Sequence, residues 1–232
     1  MRKKIIEFLY KCRPLRWLLP IFHVLSGKNR FKNKRNCSFD TGTSVLYKNR
    51  FNILRGNSSE IKIGCGTFLS NSVLTVKGSN NKILIGENGF INGIDLVVEG
   101  NGNTVIIGNN AFVLDDTRIY VVDGGLFKMG DSCMLSDRIE IRATDNHSII
   151  DLNTNKRINF EKPIILHDHV WLGTGVTLLK GSEIADGCIV GAKSLVTGTF
   201  SEKNCIIAGN PAKVIKKNVD WKMERIKNDS QN

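Results

Sequence analysis

Residues 162–198 read KPIILHDHVWLGTGVTLLKGSEIADGCIVGAKSLVTG. Leu166, Leu172, Leu178, Ile184, Val190 and Val196 fall in it at an unbroken interval of six. An amphipathic helix repeats every 3.6 residues and a half-buried strand every two, so neither alone sets this beat. A coil with three short flat faces does, with one inward side chain per face and a corner between faces. Gly173 and Gly191 each follow an inward residue, where the chain turns and room is short. Coils of this kind bury a continuous core only when stacked.

The beat extends upstream. IKIGCGTFL, ILIGENGFI, VIIGNNAFV and LFKMGDSCML set Ile63, Ile85, Ile107 and Met129 at steps of 22 residues, each followed by a glycine. Intervals of six then predict inward positions at Leu69 and Thr75, Ile91 and Val97, Val113 and Ile119, and Leu135 and Ile141. Three sixes leave four residues over. These fall at KGSNN and EGNGN, Gly and Asn clusters that read as turns and should stack as one ridge. An open β-sandwich would not explain two blocks sharing one beat. The expected fold is an all-β solenoid with one core, as 232 residues with 41% apolar content allow.

Both ends fall outside the beat. Residues 1–38 form a basic segment, 39–217 the solenoid, and 218–232 a short C-terminal helix and tail whose Trp221 packs back on the last coil. Residues 1–35 hold eleven Lys and Arg against Glu7 alone, so most of the net charge of +11 sits there. KKIIEFLYKC and RWLLPIFHVL predict one or two short amphipathic helices, broken near Pro14 and Pro20. They lie on an anionic membrane leaflet or cap the first coil. No apolar run approaches the ~20 residues of a spanning helix, and no cleavage site follows the basic start. No nucleic-acid recognition module accompanies the charge. The six cysteines stand singly, none as C-x-x-C, and read as buried thiols of a cytoplasmic protein.

Three of the four histidines lie within residues 143–173, around the place where the beat fails. His147 stands six residues after Ile141, at the next expected corner, and the beat resumes only at Leu166. Between them SIIDLNTNKRINFEKP is polar and irregular. A histidine facing such a loop is a candidate general base, because an imidazole titrates near neutrality. Asp145, Asp151 or a backbone carbonyl would fix its tautomer. The plain alternative is a surface-loop histidine. His167 and His169 share one side of an extended segment, and with His147 make the three imidazoles that a catalytic zinc needs. Trp171 cannot enter the coil where Leu172 already points, so it faces outward, towards a ligand or a second subunit.

Residues 162–198, together with IIAGNPAKVIKK at 206–217, resemble the hexapeptide-repeat acyltransferases, in particular the branch of galactoside, maltose and nodulation-type acetyltransferases. DNHSI and HDHVWLG are similar to enzymes that O-acetylate capsule or lipopolysaccharide sugars. The resemblance implies a left-handed parallel β-helix, a homotrimer with sites between subunits, acetyl-CoA as donor, no metal, and a sugar hydroxyl as acceptor. It aligns His147 with the catalytic base; of the groups that would fix its tautomer, Asp145 is the favoured one. It places Trp171 beside the acetyl and pantetheine end of coenzyme A. Gly173, Gly191 and Ala192 would keep that surface low, Ser194 and Thr197 offer hydroxyls, and Lys193, Lys213 and Lys216 reach phosphate. His169 and Asp151 would line the acceptor cleft. Two departures stand out: Gly198 where the family often has a base, and His167 where it usually has Gly, which implies a wider corner. Transfer to an amino-sugar nucleotide and a metal-dependent hydratase are the alternative activities.

Overall fold

The computed structural model describes residues 29–32, 37–224 and 226. The helices expected near Pro14 and Pro20, and the membrane or cap role given to them, lie outside the described residues. Three parallel sheets form the flat faces of a solenoid. The first face runs from Arg30–Lys32 to Leu195–Val196, and the second from Cys37–Asp40 to Thr199–Phe200. The third runs from Val45–Tyr47 to Cys205–Gly209 and is closed by the antiparallel strand Ala212–Lys217. Among the described residues the first strand of the solenoid is Arg30–Lys32, which lies inside the segment expected to precede it.

The core is the column of inward side chains. Leu166, Leu172, Leu178, Ile184, Val190 and Val196 are all fully buried, as the beat requires. Upstream, Thr75 and Val97 do not point in; Leu74 and Val76, then Leu96 and Val98, fill the core instead. The turn before the first face is one residue shorter in those coils, with Asn71 and Gly93 at positive φ. At Asp115 and Asp116 the next coil gains a residue. Ile94 accordingly pairs with Thr117, while Val105 keeps the 22-residue step to Phe127.

The glycines work by close approach. A Cβ on Gly64 or Gly86 would lie 2.6 Å from the carbonyl carbon of the glycine one coil on, at Gly86 and Gly108. The surplus residues stack as a ridge: the amides of Gly78, Gly100 and Asp123 each bond a carbonyl of the preceding coil. His167 does not widen its corner. Its backbone passes as close to Gly130 as the glycines do to one another, and its amide still bonds Ile184 O at 2.9 Å. Its ring turns outward to Glu183 Oε1 at 2.9 Å, so no extra room is needed.

The C-terminal helix is absent from residues 218–224. Asp220 accepts the Trp221 amide through its own side chain, a local bond that competes with a helical turn. Trp221 is buried against the solenoid, as expected. Cys133, Cys188 and Cys205 are buried, but Cys65 is exposed, because its corner turns outward beside Thr43. No helix among the described residues is long and apolar enough to cross a membrane.

Candidate active site at the break in the coil

Coils before the break repeat every 22 residues and coils after it every 18; the step across it is 37. The added chain leaves the first face after Glu140–Arg142 and returns at Ile164–Leu166 on the second. Ala143 is still buried and bonds Tyr120 O, so the excursion begins from a fixed point. Asn146 then takes a left-handed φ of 61°, with its amide on Thr144 Oγ1 at 2.9 Å, and throws His147 outward. Farther on, Ile150–Asp151 and Lys156–Arg157 pair as a small antiparallel hairpin.

One residue ties this excursion together. Asn159 donates from Nδ2 to Asp145 Oδ2 at 2.7 Å and to His147 O at 2.8 Å, while its Oδ1 accepts the Ile149 amide at 2.7 Å. Its own carbonyl accepts Lys180 Nζ and Arg157 Nη2, both at 3.1 Å. Lys180 stands at the same corner one coil later and also pairs with Asp145 at 2.5 Å. The Lys180 ammonium, and then the Asn159 amide, hold the Asp145 carboxyl below the usual carboxylate range. Asn159 carried no sequence signal, since it lies in the stretch without a beat. Lys180 could have been found by counting one coil from the break.

The partners expected for His147 are engaged elsewhere. Asp145 binds Lys180 and Asn159. Asp151 Oδ1 accepts the amides of Asn153 and Thr154 and the Thr154 hydroxyl, which fixes the hairpin turn and lowers its carboxyl. The imidazole itself is exposed. Asp145 still reaches His147, through the Asn159 amide and the His147 carbonyl, and so sets the backbone rather than the ring.

His167 and His169 lie at the next corner, between the second and third faces, one face away from His147. The three imidazoles do not converge within the chain, and no trio of His, Cys, Asp or Glu suited to a metal occurs among the described residues. His169 is half-buried: Trp221 stacks on its ring at 4.2 Å and 7°. Its Nε2 meets Asp220 Oδ1 at 3.1 Å, and its carbonyl accepts Trp221 Nε1 at 2.9 Å. Trp171 faces outward on the third face, donates to Ser136 Oγ at 3.2 Å, and lies 5.9 Å from the Trp221 ring.

The residues expected to hold the donor gather only in part. Gly173, Gly191, Ala192 and Lys193 stack at the corner between the third and first faces, where a Cβ on Gly173 would lie 2.8 Å from Ala192 N. Lys193 lays its side chain across Gly175. Lys213 pairs with Ala208, which touches Gly191, and Lys216 is exposed on the same return strand. Thr197 lies apart, at the corner that also carries Lys180 and, earlier, His147. The Ser194 hydroxyl is buried and accepts the Gly209 amide at 3.1 Å, so it holds the fold.

No protein-family model matches the chain. It is 38% identical over 93 residues to a polysialic acid O-acetyltransferase of Escherichia coli O1:K1 / APEC, a stretch covering 40% of this chain and 30% of that protein. It is 34% identical over 103 residues to a polysialic acid O-acetyltransferase of Neisseria meningitidis, covering 44% and 48%. The chain thus spans less than half the length of these curated relatives. The crystal structure of the polySia-specific acetyltransferase NeuO matches with a TM-score of 0.74 at 28% identity, over 89% of this chain and 85% of that one. Repeat, faces and interrupted coil together define a three-faced parallel β-solenoid, an architecture matched by that acetyltransferase structure. In repeat and fold the chain is similar to these acetyltransferases.

Proposed function

We propose that the protein moves acetyl from acetyl-CoA to a hydroxyl of a cell-surface sugar, with His147 as general base. The observation that carries this reading is the placement of His147. It is the one histidine set on the excursion, on a backbone clasped by Asn159, with its ring exposed. The acceptor hydroxyl would lose its proton to the imidazole as its oxygen attacks the thioester carbonyl. The C–O bond forms, the C–S bond breaks, and the departing thiolate takes the proton. Asp145 acts as a positioning residue. A polysialic acid O-acetyltransferase among the relatives supports a glycan acceptor. The coil is taken to wind left-handed, as the family resemblance implies.

A homotrimer belongs to the same proposal. His147 stands between the first and second faces, while Trp171 and the Gly173–Gly191 stack belong to the third face and its far edge. A site built between two copies would bring base and donor surface together. The excursion also exposes Ile149, Ile150, Leu152, Ile158 and Phe160, which a neighbouring copy would cover. Full activity from a monomer in sedimentation would end the trimer reading. The functional test is acetyl-CoA turnover against purified capsule and lipopolysaccharide fragments, with and without chelator. Acetyl ester on a glycan, insensitive to chelator, is expected. Stoichiometric zinc in protein that transfers no acetyl would return the hydratase.

A further inference from the structure

A long groove of about 1040 Å³ runs along the outer side of the first face. Its floor follows the strand register. Arg55, Lys77, Glu99 and Val122 stand in one row across four coils, and Val97 and Tyr120 in the row beside it. The stacked turns of Gly78 and Gly100 form one wall, with Asn101 and Asp123 on it. The groove ends at Asn146, the residue whose positive φ throws His147 outward. From Arg55 to Asn146 is four coil steps, roughly 19 Å at the usual strand spacing.

Its chemistry is that of a sugar-binding surface. The Arg142 guanidinium lies over one face of the Tyr120 ring at 4.7 Å and is itself fixed by Glu140 at 2.6 Å, which sets the orientation of the ring in the groove lining. Asn101, Asn146 and Asp123 supply amide and carboxylate groups. Lys77 and Glu99 neutralise each other at 2.9 Å, which leaves Arg55 at the far end as a cation without an ion pair among the described residues. The glycines of the wall let its turns stack closely, since a Cβ on Gly78 would run into Gly100 O.

We propose that this groove holds the non-reacting length of an extended chain of linked sugars, threading it towards His147. The inference rests on a glycan acceptor, and it predicts that recognition grows with chain length. The test is affinity electrophoresis of the full chain in gels containing polysialic acid, dextran or a short sialic acid oligomer. Retardation by one of the two polymers but not by the short oligomer is expected. A polysialic acid response would mark an anionic acceptor, and a dextran response a neutral one. Tyr120→Ala and Arg55→Ala should each weaken polymer retention, the former about ten-fold for loss of an aromatic platform. Thermal unfolding of both variants serves as the fold control, and Arg55→Ala keeps the test open should Tyr120→Ala unfold. His147→Ala should be retarded like the parent chain. Retention without any acetyl transfer would remove the proposed activity and leave the groove standing. No retention by either polymer, or retention unchanged in Arg55→Ala and folded Tyr120→Ala, overturns the groove.

Discussion

Replacing Asn159 with Ala separates the ordering of the excursion from the stability of the solenoid. Three short side-chain bonds are lost, to Asp145, His147 O and the Ile149 amide. Near solvent each contributes at the low end of the usual range, ~0.5–1 kcal/mol, so the clasp loses about 2 kcal/mol. That raises the open population of the excursion about 30-fold. None of these bonds joins two coils of the core, so opening is local and the melting temperature should move by less than about 2 °C. Hydrogen exchange read by mass spectrometry should show peptides across residues 145–160 exchanging about 30-fold faster, with the rest unchanged. Turnover should fall at least about ten-fold, because a base displaced by an ångström loses most of its advantage. KM for acetyl-CoA should hold. Faster exchange with full turnover would show that the clasp does not position His147. Unchanged exchange would show that the three bonds carry no energy.

His147→Ala should reduce turnover by about 10²–10⁴ with little change in acetyl-CoA affinity, the usual contribution of a positioned base; near-normal turnover would remove it from the role. Leu178→Ala, at a fully buried position, should cost ~2–5 kcal/mol in denaturant unfolding, and a cost below about 1 would mean that the coils collapse around the gap. Thiol alkylation at pH 8, mapped by mass spectrometry, should find Cys65 labelled well before Cys133. Hydrogen bonds from Thr43 lower the exposed Cys65 thiol, whereas burial pushes Cys133 up to about 12; equal labelling would contradict that order. The Asp145 carboxyl is depressed, so its pairing with Lys180 is present above the ordinary carboxylate value and is lost as pH falls through the lower folded one. Asn159 side-chain amide resonances should therefore hold steady down to about pH 4 and shift only below it; a transition near pH 6 would point to a different group.

Most of the frame was legible because a three-faced coil leaves a period that chemistry cannot disguise. Leu166 to Val196 needed only counting. Thr75 and Val97 were misread because one turn is a residue short, and a shift of one residue exchanges the two sides of a strand. The candidate base was legible for the opposite reason: His147 is where the pattern stops. Its surroundings were not. Asn159 acts through contacts made only after a hairpin brings it back beside Asp145, and no local pattern encodes that return. His169 reads as lining a cleft, and nothing near it in the sequence announces the Trp221 ring that stacks on it from a tail 52 residues later. Tertiary contacts from irregular chain decided each of these positions, and irregular chain has no period to read.

The antiparallel return at Cys205–Gly209 and Ala212–Lys217 bears on how such a molecule avoids becoming a filament. Every parallel coil ends in an edge suited to one more coil, including a coil from another molecule. A stack of this kind would, left alone, template end-to-end polymerisation. Reversing the last strand of the third face replaces a repeating edge with one of the wrong polarity and spacing. Lys213 and Lys216 stand exposed on it, and Lys217 is held by Glu202 at 2.9 Å. Positive charges facing one another across such an edge would repel a second copy, so this strand also terminates growth.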